Sequence, residues 1–322
     1  MRTVWMPIVM LVSHVFLQDL PLPKPTGSYE VGAWSLQWTD IERDERATED
    51  PYDKRQVLLK LYYPTADTKG TRASYYNDPD AYAPIWDQSD IDLIKRVKTN
   101  AIANAKPYPQ RSGFPLILLS HGWQGSHASL TIISEELASH GYVIAALDHP
   151  YMGHIALSSD VVTEATEKQF HSYDEVMQFY AADLDFVIAQ LIKWTEQPDS
   201  AFVHHIDFTR VIAVGHSSGF LAARGLALRN RSVSCMVNID APGVENSELA
   251  TYQTKIINIR TERLKPIDAS FLDQHRNIKQ INIPNASHGS VTDWDYLTAK
   301  SEAQREHALM LVRQIAQAIL DY

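Results

Sequence analysis

Apolar residues recur in two rhythms that alternate along this chain. Short unbroken runs at 114–120, 142–147, 211–214, 233–239, 255–259 and 279–283 read as strands covered on both faces. Between them, apolar positions return every third or fourth residue. One such stretch, 127–140, is closed by Gly141. Another opens at Ser172, which forms a capping box with Glu175, and carries Tyr173, Val176, Met177, Tyr180, Leu184, Val187, Ile188 and Leu191. Residues 220–229 and 302–320 make two more helices, the latter with Ala308, Val312, Ile315 and Ile319 on one face. Upstream, strands at 33–38 and 56–63 flank a charge-dense stretch, 40–55, that reads as a solvated hairpin loop. Residues 64–114 are irregular and aromatic-rich, with one helix expected over 91–105. Strands alternating with amphipathic helices imply an α/β chain with a mainly parallel sheet and helices on both faces. Ligands bind such sheets at the C-terminal strand ends.

Composition narrows the function. With 29 Lys and Arg against 39 Asp and Glu the formal net charge is −10, and no basic stripe offsets it. No nucleic-acid partner is expected, since phosphate neutralisation supplies most of such affinity. A single cysteine, Cys235, excludes an internal disulfide or a cysteine-built metal cluster and reads as core packing. The apolar run 4–17 has the length of a signal-peptide core and is short for a membrane span. It implies export or anchoring: a secreted, periplasmic or membrane-anchored protein, with a cytoplasmic one left open. Pro21, Pro23 and Pro25 read as a stiff linker, dividing residues 1–25 from a single catalytic domain, 26–322.

The chemistry centres on Gly215-His216-Ser217-Ser218-Gly219, between an apolar strand and a helix. That is the context of a nucleophile elbow. A sharp strand-to-helix turn needs small residues two before and two after the serine, and it lifts Ser217 clear of the sheet. The earlier strand 115–120 ends in His121-Gly122-Trp123-Gln124-Gly125. This loop and the residue after the nucleophile are the two sources of oxyanion donors, which selects the N–H groups of Trp123 and Ser218. The base is sought after the last strand, where His288 follows 279–283. His121 reads as loop scaffold and His216 as the variable elbow position. His204 and His205 fall at the far end of the elbow strand; His140, His149, His154 and His171 read as helix-end or loop residues. For the acid, Asp240 at the end of strand 233–239 and Asp268 after strand 255–259 fit equally, with Glu262 beside Asp268.

The chain resembles the plasma and intracellular type II platelet-activating factor acetylhydrolases and their bacterial relatives, serine esterases of the α/β-hydrolase fold. The resemblance runs from about Thr26 to the C-terminus. It is carried by the stretches 114–122, 136–150 and 214–217, above all Leu137-Ala-Ser-His-Gly-Tyr ahead of Asp148-His149-Pro150. It implies Asp240 as the acid and agrees on Trp123 and Ser218. Two positions depart from the family pattern. Phe220 stands where a further glycine is usual, and Trp123 where a smaller residue is common.

The implied activity is carboxylic-ester hydrolysis by Ser217, Asp240 and His288, on short acyl esters of phospholipids. No metal or organic cofactor is implied. Trp123 and Phe220 are expected to bound the acyl pocket. The aromatic segment with Tyr75, Tyr76, Tyr82 and Trp86, together with the helix at 91–105, is expected to rim the site; that helix, with Ile91, Ile94, Val97 and Ala101 on one face, either packs inward or meets a membrane or lipid-particle surface. Amide or polyester cleavage on the same fold, and a non-catalytic binding protein, are the alternative readings.

Overall fold

The structure is a computed structural model describing residues 18–110, 112–241, 253–265 and 267–322. Among these residues nine strands join into one sheet: β1 (Glu30–Asp44), β2 (Lys54–Thr65), β3 (Ile102–Ala103), β4 (Phe114–Ser120), β5 (Val143–Asp148), β6 (Ile206–His216), β7 (Val233–Ile239), β8 (Lys255–Thr261) and β9 (Ile278–Ile283). Their order is β9-β8-β7-β6-β4-β5-β2-β1-β3. β2 runs antiparallel to both its neighbours, and the remaining pairs are parallel. β4 pairs with β5 on one side and β6 on the other. The strand order therefore reverses at β4, and the crevice above such a switch point is where ligands collect.

The unbroken apolar runs follow from two covered faces. In β4, Leu116 and Leu118 pack into one core while Ile117 and Leu119 pack into the other. Helices α2 (Thr131–Ser139) and α6 (Glu302–Leu320) cover the first face, that of Ile117 and Leu119; α3 (Tyr173–Thr195) and α4 (Gly219–Arg229) cover the second, that of Leu116 and Leu118. The Ser172 hydroxyl caps α3 by accepting from the Glu175 N–H, as read from the sequence, while the Glu175 carboxylate reaches back to the His171 N–H. Cys235 is buried, and burial pushes its thiol up to about 12.

Three expectations are corrected. The stretch 40–55 is a solvated hairpin loop only in part: β1 runs on to Asp44 and β2 starts at Lys54, leaving 45–53 as the connection. Three of its charges, Asp40, Glu45 and Arg55, are buried; Arg55 is fully so and makes a two-pronged contact with Asp183 of α3, at 2.6 and 3.1 Å. Glu45 and the Pro150 carbonyl both accept from its Nη1, and Arg43 also reaches Asp183. The helix expected over 91–105 ends early, as α1 (Gln88–Arg96). Val97–Lys98 then pairs with Leu20–Pro21, and the buried Glu135 carboxylate takes the N–H groups of Asn100 and Ala101. Ile91, Ile94, Val97 and Ala101 are all buried, so the apolar stripe is core and not a membrane face. The proline segment is no free linker either. Leu22 is buried, and the carbonyls of Pro21 and Pro23 accept from Tyr296 and Asn100. The ordered domain thus begins before Thr26, and the run 4–17 lies outside the described residues.

Replacing Arg55 by Ala strands Asp183 in the core without its guanidinium. Urea unfolding at pH 7 should show a loss of about 3–5 kcal/mol. Burial pushes the Asp183 carboxyl up, but Arg55 and His149 outweigh it and hold the group well below the ordinary carboxylate range. That contribution is therefore full above the unfolded value of about 4 and fades as pH falls below it. The gap between wild type and Arg55→Ala should narrow in acid.

Candidate active site

Ser217 sits in the turn between β6 and α4 with a left-handed backbone, φ 52°. Its N–H is held by the Ile239 carbonyl at 2.9 Å. The turn closes only because its flanks lack side chains. A Cβ on Gly215 would lie 2.3 Å from the Phe220 nitrogen, and one on Gly219 would lie 2.3 Å from the His121 carbonyl oxygen. The spacing read from the sequence is thus a packing requirement.

The structure brings Ser217, His288 and Asp240 into one line. The Ser217 hydroxyl lies 2.9 Å from His288 Nε2, and His288 Nδ1 lies 2.7 Å from Asp240 Oδ2. Asp240 is fully buried one residue beyond β7. Its other oxygen accepts from both the N–H and the hydroxyl of Thr261, each at 2.8 Å. Burial pushes this carboxyl up, but the hydrogen bonds from His288 and Thr261 prevail and keep it below the ordinary range. An ionised Asp240 accepts a hydrogen bond from the Nδ1–H, which leaves Nε2 free to accept from the serine. The half-exposed Arg263 flanks the pair, with its guanidinium 3.2 Å from His288 Nδ1 and 3.8 Å from Asp240. Asp268 caps helix α5 (Ala269–Gln274) through the N–H groups of Ser270 and Phe271, and Glu262 is exposed; neither contacts His288.

The end of β4 presses against the elbow. A Cβ on Gly122 would come within 3.1 Å of the Ser217 Cβ, so the loop 121–125 approaches closely. Among the described residues, neither the Trp123 nor the Ser218 N–H donates to a protein acceptor. Two free N–H groups beside a raised serine hydroxyl are what a developing oxyanion requires.

Two cavities flank this centre, and Trp123 borders both. One, of about 370 Å³, is lined by aromatic Tyr75, Tyr76, Trp86 and Trp294, with His216 and Gly289 on the histidine side. The other, of about 330 Å³, is lined by Met152, Tyr173, Val176, Tyr180, Ser218 and Leu221. The expected pocket role of Phe220 is corrected here. Its ring is 1% exposed and packs into the core beneath the sheet, because the pitch of α4 turns Leu221 to the cavity instead. Sequence reading missed Thr261 and Arg263, which carry no motif of their own, and Trp294, which joins the expected aromatic rim of Tyr75, Tyr76 and Trp86 from far along the chain.

The histidines sort clearly. His204 and His205 lie at the far end of β6, and His140 sits at the end of α2 beside Glu136. His149 lies in the loop after β5, as expected, and is fully buried there, bonded to Asp183 and Ser120. Among the described residues no cluster of His, Cys, Asp or Glu could hold a metal ion, and no helix is long and apolar enough to cross a membrane.

The family profile described as platelet-activating factor acetylhydrolase, isoform II, matches residues 14–190, more than half of the chain. A platelet-activating factor acetylhydrolase from Canis lupus familiaris is 28% identical over 150 residues, 43% of this chain and 30% of that protein. A probable 1-alkyl-2-acetylglycerophosphocholine esterase from Arthroderma benhamiae is 23% identical over 259 residues, 72% of this chain and 63% of that protein. The chain thus matches under a third of the length of the mammalian relatives. A solved ferulic acid esterase from Streptomyces cinnamoneus superposes with a TM-score of 0.69 at 22% identity, covering 92% of this chain and 91% of the other. The fold is that of the α/β hydrolases.

The two carboxylates left open by chain order can be separated chemically. Asp240→Asn should slow labelling of Ser217 by a fluorophosphonate by roughly 10⁴-fold, the cost of the same change in a serine-protease triad. Asp268→Asn should leave the labelling rate unchanged. The opposite pattern would reverse the assignment.

Proposed function

We propose a reaction for a chain that belongs to the platelet-activating factor acetylhydrolase isoform II family: hydrolysis of carboxylic esters by Ser217, with short acyl esters of phospholipids as the substrate class. The observation that carries this reading is the line Ser217–His288–Asp240, at 2.9 and 2.7 Å. Ser217 attacks the ester carbonyl as His288 Nε2 takes its proton. Asp240 holds the ring in the needed tautomer and stabilises the imidazolium. The N–H groups of Trp123 and Ser218 receive the oxyanion. His288 then gives the proton to the leaving alcohol, and water activated by the same nitrogen releases the acid.

Proton delivery also divides the substrate. The leaving oxygen must face His288 Nε2, so the alcohol half belongs in the aromatic cavity beside Gly289 and His216. The acyl half turns the other way, into the cavity bounded by Ser218, Leu221 and Val176. For a phospholipid, the encounter is with a membrane or lipid particle. The partly exposed Trp123 and Trp294 are the side chains placed to meet it. Delivery to such a surface agrees with the export or anchoring role read in residues 4–17, which stays part of this proposal. The aromatic wall also favours a second reading, an ester carrying an aromatic group, as the name of the ferulic acid esterase suggests.

Ser217→Ala and His288→Ala should each lower kcat on p-nitrophenyl acetate by on the order of 10⁶. Across a series of p-nitrophenyl esters, wild type should prefer acetyl and butyryl groups. Trp123→Ala should extend the range to longer chains while keeping the backbone donor, whereas Leu221→Trp should narrow it. Release of acetate from 1-alkyl-2-acetylglycerophosphocholine tests the phospholipid reading; turnover of soluble esters alone would leave a general esterase.

A further inference from the structure

Beneath the oxyanion loop lies a second serine, histidine and aspartate in line, all three fully buried: Ser120, His149 and Asp183. No substrate reaches them, and the reaction above does not use them. Their hydrogen bonds nevertheless anchor His149, whose backbone reaches the loop. Asp183, ionised beside Arg55, accepts from His149 Nδ1 at 2.8 Å. His149 Nε2 lies 3.0 Å from the Ser120 hydroxyl. The backbone N–H of His149 donates to His121 Nε2 at 3.0 Å. That ring nitrogen must therefore carry a lone pair. His121 is buried, which lowers its basicity and keeps it neutral, so its one ring proton sits on Nδ1. Nδ1 lies 2.7 Å from the Gly122 carbonyl oxygen.

That last bond bears on the chemistry through peptide geometry. The Gly122 carbonyl and the Trp123 N–H belong to one planar trans peptide, in which C=O and N–H point in opposite directions. Holding the carbonyl fixes the direction of the N–H. The same oxygen also accepts from the Gly125 N–H at 3.0 Å, so two donors hold one side of the peptide while the N–H on the other side has no acceptor among the described residues.

We propose that His121 is a positioning residue of the oxyanion hole: its ring, held in one tautomer by the backbone N–H of His149, whose side chain is anchored on Asp183 and Ser120, holds the Gly122 carbonyl and aims the Trp123 N–H at the substrate oxygen. The inference rests on the esterase reading above. It requires that His121 act on the transition state, where the oxyanion exists, and not on binding of the neutral ester.

The test compares His121→Leu, which removes the donor, with His121→Asn, whose amide can reach the position of Nδ1. Each is assayed on p-nitrophenyl acetate per mole of fluorophosphonate-titrated Ser217, and by inhibition with a trifluoromethyl ketone, which binds as an oxyanion adduct. His121→Leu should lose about 10²-fold in kcat, the size expected of a misplaced catalytic group, with KM little changed. Its inhibition constant should rise by a similar factor, and His121→Asn should recover most of both. A kcat within threefold of wild type per titrated site, a loss confined to KM, or an inhibition constant that does not move would overturn the proposal. If His121→Leu does not fold, His121→Asn is compared with His121→Gln, whose amide reaches toward Nε2 instead. Equal activity of those two would also overturn it. Hydrolysis that survives Ser217→Ala would refute the esterase reading itself, a result independent of the His121 variants.

Discussion

The left-handed backbone of Ser217 is the constraint on which the active edge of this sheet depends. A side chain at φ 52° costs on the order of 1–3 kcal/mol and persists only where its surroundings leave no alternative. Here the Ile239 carbonyl holds the Ser217 N–H from the neighbouring strand, and α4 folds directly back over the end of β6. Gly219 then rests against the carbonyls of Ser120 and His121. One packing contact therefore sets two things at once: the height of the serine above the sheet, and the closeness of the β4 loop that carries the second oxyanion donor. A methyl group at that contact would separate them.

Support for the three aligned side chains is graded. Asp240 is the most constrained. It too has a left-handed backbone, φ 54°, its N–H is held by Ile259, and Thr261 grips its carboxylate twice. Two adjacent strands thus fix one acid. His288 is carried by a loop after β9 and is partly open to solvent. Its orientation depends on the carboxylate behind it. A rigid, ionised acid beneath a more accessible base suits a group that must take a proton from one oxygen and return it to another.

The buried charges under the second face would be a liability in isolation, since removing ions from water costs several kcal/mol each. They are tolerated because each is shared. Asp183 accepts from Arg43, Arg55 and His149, while Arg55 also serves Glu45 and the Pro150 carbonyl. The cluster joins the β1–β2 hairpin to α3 and to the segment following β5. It thereby reaches the base of the oxyanion loop, a connection that spans 140 residues in sequence and a few hydrogen bonds in space.

The sequence alone determined those features that local patterning encodes. Doubly covered strands read as unbroken apolar runs, helices declare themselves by period and cap, and an elbow needs glycines at fixed offsets from its serine. Ser217, His288 and the β4 loop were legible for that reason. Tertiary structure decided whatever depends on a distant partner. Asp240 and Asp268 are equivalent in chain order and differ only in what they touch: His288 and Thr261 for one, the first turn of α5 for the other. The charges of 40–55 look solvated until Asp183, 128 residues beyond Arg55, is placed beside them. The apolar face of 91–101 cannot reveal whether protein or lipid covers it. Phe220 and Leu221 exchange core and cavity by one step of helical phase, which packing against the sheet sets. Periodicity reports which side of an element is apolar; only the assembled fold reports what lies against it.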